Sequence, residues 1–135
     1  MPTQEDSDPA HVLDALGVLQ DLTTGADAAS ADLVVSADLH QPYGIVHGGV
    51  YAALAERVAE AGGQAWLGER GRARATVVGT QFLRAVREGL VHAVAKPVHR
   101  GRGQQLWQVR MTDRAPDGGE RVVAVSEVRL VNVPA

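Results

Sequence analysis

The sequence predicts an α+β domain in which one long helix packs against a curled antiparallel sheet, and three observations carry that expectation. Val50, Leu54, Val58, Ala61 and Ala65 recur at spacings of three and four, the period of one buried helical stripe running from Gly49 to near Gly68. Four extended segments follow, 73–83, 90–99, 104–112 and 121–131, each rich in β-branched residues and alternating in polarity. No internal repeat or linker interrupts the 135 residues, a length that suits one core and is too short for two.

The elements are read in chain order. Residues 1–9 are acidic and polar and are expected to be disordered, leaving 10–135 as a single domain. Residues 11–16 suit a short helical turn closed at Gly17, and 18–24 a weak strand before a turn at Gly25. Residues 31–39 alternate, with Ala31, Leu33, Val35, Ala37 and Leu39 on one side, and read as a half-buried strand. The loop 41–49 precedes the helix, and a turn rich in glycine and charge, 68–72, follows it. Arg87-Glu88-Gly89, Arg100-Gly101-Arg102-Gly103 and Pro116-Asp117-Gly118-Gly119 supply the turns between the later strands. In the third of those strands Gln105, Trp107, Val109 and Met111 share a side, which makes Gln105 a polar exception at the rim of an apolar surface. One helix cannot cover a broad sheet. Dimerisation that continues the sheet and pairs two helices would complete the cover and remove an edge.

Composition excludes several classes. With no cysteine there is no disulfide, thiol nucleophile or thiolate metal site. The N-terminus lacks the basic start and apolar run of a signal peptide, and no segment has the apolar length of a membrane span, so a cytoplasmic protein without a membrane partner is expected. Thirteen basic against 16 acidic residues, net charge -3, argue against a nucleic-acid partner, and aromatic residues are too sparse for a base-stacking platform. The arginines nevertheless accumulate after position 70. They suit either a phosphorylated small ligand or a solvated sheet edge.

Reactive groups and exposed backbone coincide at one place, Gln41-Pro42-Tyr43-Gly44-Ile45-Val46-His47-Gly48-Gly49-Val50, followed by Glu56 and Glu60 on the helix. Two glycines after a histidine let backbone N–H groups approach a ligand, and the unpaired amides of a starting helix point the same way, as an oxyanion site requires. Gly49, Ala52, Ala53, Glu56 and Glu60 fall opposite the buried stripe. Small residues there leave room for a ligand or partner, so a Glu56 carboxylate in a partly dry cleft fits the pattern, although a lone glutamate on a helix reads first as an exposed side chain paired with Arg57 or solvent.

The order of a strand, Gln41, Val46-His47-Gly48-Gly49, a helix bearing Glu56 and then four strands resembles the hotdog-fold acyl-CoA thioesterases. It is most similar to the phenylacetate-pathway (PaaI-like) group and its 4-hydroxybenzoyl-CoA thioesterase relatives of the Arthrobacter type. The resemblance spans residues 10–132, including Val98-His99-Arg100-Gly101-Arg102, Trp107-Gln108-Val109 and Val125-Ser126-Glu127-Val128-Arg129-Leu130. It implies a hotdog fold and hydrolysis of an aromatic or medium-chain acyl-CoA without metal or other cofactor. Glu56 would be the nucleophile or general base, and the Gly48 N–H would bind the thioester oxygen. Gln41 would orient the carbonyl or water, and His47 would organise the loop or assist the oxyanion. The family shares each site between subunits of a dimer, which can join another dimer into a tetramer, with Gln41 and the His47-Gly48 region from one chain and Glu56 from the other. Gly49, Glu60 and the arginines Arg84, Arg87, Arg100 and Arg102 are the candidate substrate contacts, the arginines for coenzyme A phosphates, with Arg100 and Arg102 preferred because Gly101 and Gly103 beside them free the backbone. Glu60 could line the acyl pocket, act on Glu56 as a like charge, or face water.

The residues fit this chemistry independently, because a thiolate leaves readily and hydrolysis needs only a polarised carbonyl and an activated water or attacking carboxylate. No G-x-S-x-G elbow is present, and His40, His47 and Glu56 are the only conceivable metal set. A hotdog dehydratase and a non-catalytic acyl-CoA sensor are the rival readings. The double glycine and Gln41 favour hydrolysis over the first, and Glu56, Gly48 and Gln41 together favour it over the second.

Overall fold

The computed structural model describes residues 11–135, so the disorder expected for 1–9 lies outside the described residues. A four-residue helix α1 (Val12–Ala15) leads into β1 (Leu19–Thr23) and β2 (Ala29–Val35), followed by the long helix α2 (Gly48–Leu67). The strands β3 (Gly71–Phe82), β4 (Gly89–Arg100), β5 (Gln104–Arg114) and β6 (Glu120–Pro134) complete the chain. All six strands form one antiparallel sheet in the order β1-β2-β4-β5-β6-β3, wrapped around α2. This is the hotdog fold.

Strand alternation selects the inner face. In β2, Ala29, Ala31, Leu33 and Val35 are buried and pair with Ala95, Ala93, Val91 and Gly89 of β4. Trp107, Val109 and Met111 of β5 stand opposite Val128, Ser126 and Ala124 of β6. Many of these side chains are small, and so are Ala55, Ala59, Gly62 and Gly63 on the facing side of α2, which lets the helix lie close to the sheet. A Cβ on Gly62 would sit 2.6 Å from the Trp107 ring, and one on Gly63 would overlap Leu130.

Three expectations need correction. The strand read over 31–39 ends at Val35; Ala37–Leu39 is a 3-10 turn that buries Leu39 but leaves Ala37 exposed, so the alternation in burial stops with the strand. On α2, Leu54, Val58 and Ala61 are buried, but Val50 is half-buried and Ala65 exposed. The buried face instead includes Tyr51, Ala55, Ala59, Gly62 and Gly63, two of which carry no side chain to register as apolar. Finally, Gln105 is no rim residue. It is 1% exposed, receives the Trp107 indole N–H at 2.8 Å, and donates to Asn132 Oδ1 at 2.8 Å and to the Gly63 carbonyl at 3.3 Å. Asn132 in turn donates to the carbonyls of Gly101 and Arg102, so a chain of amides joins α2, β5, β6 and the β4–β5 turn. Such groups are tolerated in a core because each finds a partner.

Candidate active site

The loop before α2 is shaped by local backbone chemistry. Gln41 to Gly44 is a β-turn closed by the Gly44 N–H on the Gln41 carbonyl at 2.9 Å, with Pro42 supplying its fixed φ and Gly44 at φ +77. The Gln41 N–H to Ile45 carbonyl and His47 N–H to Leu39 carbonyl bonds, both 2.9 Å, fold the loop back on itself. The β3–β4 connection holds it from outside. Val46 N–H donates to the Val86 carbonyl, the His40 ring to the Arg87 carbonyl at 2.7 Å, and the Arg87 guanidinium to the Tyr43 carbonyl at 3.2 Å.

His47 is the N-cap of α2, its Nδ1 accepting the Gly49 N–H at 3.0 Å. Among the described residues no hydrogen bond uses the Gly48 N–H. The first turn of α2 itself carries no acidic residue. Phe82 covers this point, its ring tip 3.0 Å from where a Gly48 Cβ would be, and yet it is 57% exposed. The arrangement offers one backbone donor to a developing oxyanion beneath an aromatic side chain.

Glu56 lies eight positions beyond Gly48 on α2, about 12 Å along the axis. It is half-buried, and it faces His11 rather than Arg57: His11 Nε2 stands 3.5 Å from Glu56 Oε1, whereas Arg57 binds Asp14 at 2.7 Å. One turn on, Glu60 Oε1 accepts the Ala75 N–H at 2.8 Å, beside the bulge where β3 shifts register against β6. Glu60 also lines a cavity of ≈ 540 Å³ with Arg57, Gln64, Arg72 and Arg74.

The structure thus places Gln41, His47, Gly48 and Gly49 together at the start of α2, and Glu56 and Glu60 further along its half-exposed side. The arginines divide. Arg84 is exposed in the segment following Phe82, near the start of the helix. Arg87 is engaged by Tyr43. Arg100 and Arg102 lie toward the other end of α2, where Arg100 binds the Ala26 carbonyl at 2.6 Å and the Asp27 carboxylate at 3.3 Å, and its guanidinium is 5.5 Å from the Trp66 ring centre. The Arg102 side chain is exposed. Among the described residues no group of three metal-ligating side chains converges; His40 and His47 each use a ring nitrogen on backbone. Sequence reasoning missed His11 and Phe82. Their only sequence signals, a histidine before a short helical turn and an aromatic at a strand end, do not point to a site.

The chain belongs to the Thioesterase superfamily, whose profile matches residues 43–128, including the His47-Gly48-Gly49 turn and Glu56. The Mycobacterium tuberculosis protein Rv1847 is 45% identical over 121 residues, covering 87% of this chain and 83% of its own. The solved structure of Rv1847 superposes with a TM-score of 0.82 over 90% of this chain and 96% of that one. AziG of S. sahachiroi, at 40% identity, gives a TM-score of 0.84 over 93% of this chain and 98% of that one. The 1,4-dihydroxy-2-naphthoyl-CoA hydrolase of Escherichia coli K12 is 32% identical over 89 residues, 66% of this chain and 65% of its own. Family and relatives together support thioester hydrolysis.

Proposed function

We propose that this protein hydrolyses an aromatic or medium-chain acyl-CoA to the free acid and coenzyme A, as a cytoplasmic dimer or tetramer of the PaaI-like branch. The observation that carries the reading is the Gly48 N–H, without a partner among the described residues, at the N-terminus of α2 in a chain whose same helix bears a half-exposed glutamate. The thioester oxygen accepts from Gly48, which draws electrons from the carbonyl carbon. Glu56 either attacks that carbon, expelling the coenzyme A thiolate and leaving an anhydride for water to open, or takes a proton from the attacking water and returns it to the thiolate. Gln41 orients the carbonyl or the water, and His47 holds the Gly49 amide so that the turn keeps its shape.

A separation of about 12 Å along α2 is too long for Gly48 and Glu56 of one chain to act on the same carbonyl. It supports a site built from Gly48 and Gln41 of one subunit and Glu56 of another. Val77, Phe82 and Leu83, 57%, 57% and 60% exposed on the edge strand β3 and just beyond it, give such a partner an apolar surface to cover. Arg84 and Arg102 are exposed and suit coenzyme A phosphates, whereas Arg87, also exposed, donates to the Tyr43 carbonyl and the partly buried Arg100 to the Ala26 carbonyl.

The test is thiol release from short, medium, long and arylacetyl-CoA esters without added metal. Turnover of the medium or arylacetyl esters is expected. Binding of all of them with no release of coenzyme A would replace the enzyme reading with an acyl-CoA sensor.

A further inference from the structure

We propose that His11 is a positioning residue for Glu56, aiming the carboxylate through an imidazole N–H supplied by the turn that precedes the sheet. This rests on the reading of Glu56 as the reacting carboxylate. His11 caps α1, its Nδ1 accepting the Leu13 N–H at 3.2 Å. A neutral ring that accepts at Nδ1 carries its hydrogen on Nε2, and Nε2 is the atom 3.5 Å from Glu56 Oε1. The cap therefore fixes the tautomer that the carboxylate needs.

The ring is also fixed in space. The His11 side chain is 15% exposed and that of Glu56 39%, so the imidazole is the more buried of the pair. Leu13 anchors α1 in the core at 1% exposure, and the Asp14–Arg57 pair at 2.7 Å ties the same turn to the residue next to Glu56. At 3.5 Å the contact is longer than a formed N–H···O bond, and contacts in unliganded sites commonly tighten only when substrate arrives. An imidazole N–H on Oε1 orients the group and leaves Oε2 available for attack or proton abstraction. An arginine in that place would hold the carboxylate as a salt bridge.

Two substitutions separate the two ring nitrogens. His11→Asn keeps a capping oxygen but is too short to reach Glu56, whereas His11→Gln places an amide N–H near the Nε2 position. With octanoyl-CoA and phenylacetyl-CoA as substrates, His11→Asn is expected to lower kcat roughly tenfold or more with KM little changed and the melting temperature retained. His11→Gln is expected to recover most of the loss. In a Glu56→Gln background His11→Asn should have no further effect on the residual turnover, since a residue acting through Glu56 has nothing left to position. Parent-like kcat in His11→Asn, or an undiminished loss in the double variant, overturns the positioning role while an inactive Glu56→Gln keeps the catalytic reading intact. Parent-like kcat in Glu56→Gln overturns that reading itself.

Discussion

The two ends of helix α2 treat their polar groups in opposite ways. At the C-terminal end Gly68, at φ +59, caps the helix on the Gln64 carbonyl, and Arg70 donates to the carbonyls of Leu67 and Trp66 at 3.0 and 2.7 Å. The Gln64 side chain binds the backbone of Gly68, Gly71 and Ala73, and Gln105 and Asn132 close the interior beside Gly63. At the N-terminal end the His47 ring accepts the Gly49 N–H and the His47 carbonyl the Val50 N–H, while among the described residues no partner takes the Gly48 N–H, beneath an exposed Phe82. The first end uses its donors and acceptors to hold sheet and helix together; the second leaves a donor open, which the proposed function assigns to the thioester oxygen. On that reading the same helix is a structural strut at one end and a reactive surface at the other.

The comparison is broken most severely by Glu56→Gln, which should lower kcat by roughly 10²-fold or more while leaving the thermal unfolding midpoint close to the parent's. Comparable losses in activity and stability would mean that this glutamate belongs to the strut. At the closed end the pattern should reverse. Gln105→Leu strips partners from the Trp107 indole N–H and Asn132, and each orphaned buried group costs about 1–3 kcal/mol. Gly62→Ala forces a methyl against Trp107, a strain of about 1–3 kcal/mol. Denaturant titration should record both losses, with kcat per folded molecule retained.

The legible and illegible parts of the chain follow the same division. Helix α2 and strands β3 to β6 were read at nearly their observed limits because Leu54, Val58, Val91, Val109 and Val128 carry strong periodic signals. The glycine turn, Glu56 and Gln41 stood out through spacing and resemblance. Contacts between residues remote in sequence did not. Nothing near Gln105 announces Asn132, nothing near His11 announces Glu56, and the grip of Asp27 on Arg100 depends on the β1–β2 loop meeting the end of β4. Ala65 misled because it faces the cavity lined by Leu22, Arg72 and Arg74 rather than the sheet.

Smaller effects sharpen the assignment of the arginines. Replacing Arg84 and Arg102 with Ala should raise KM several-fold with little change in kcat, and added salt should narrow the gap because exposed charge attraction is screened. A thioester of the same acyl group on a phosphate-free thiol should be insensitive. Arg100→Ala should instead affect both substrates alike, since its guanidinium secures Ala26 and Asp27.

The smallest effect is expected inside the core. The Tyr51 hydroxyl is buried without a partner among the described residues, and burial, then the Asp113 carboxylate, push its pKa from 10.0 up to about 12. The unfolded chain would release that proton near pH 10, so this group's contribution to stability is present below pH 10 and declines as pH rises toward about 12. Tyr51→Phe should change stability at pH 7 by less than about 1 kcal/mol and lose less of it than the parent between pH 10 and 12. A large loss at neutral pH would show that the hydroxyl has a partner.

Subunit complementation tests the shared site most directly. Chains carrying Glu56→Gln and chains carrying Gln41→Ala, each poorly active alone, are co-expressed, and thiol release is measured on the purified mixture. In a mixed dimer with sites shared between subunits, one site receives an intact Gln41 and Glu56 and the other receives neither. Random pairing then restores roughly one quarter of the parent activity. Activity no higher than the mean of the two separate variants, with mixed dimers demonstrably formed, would contradict the account.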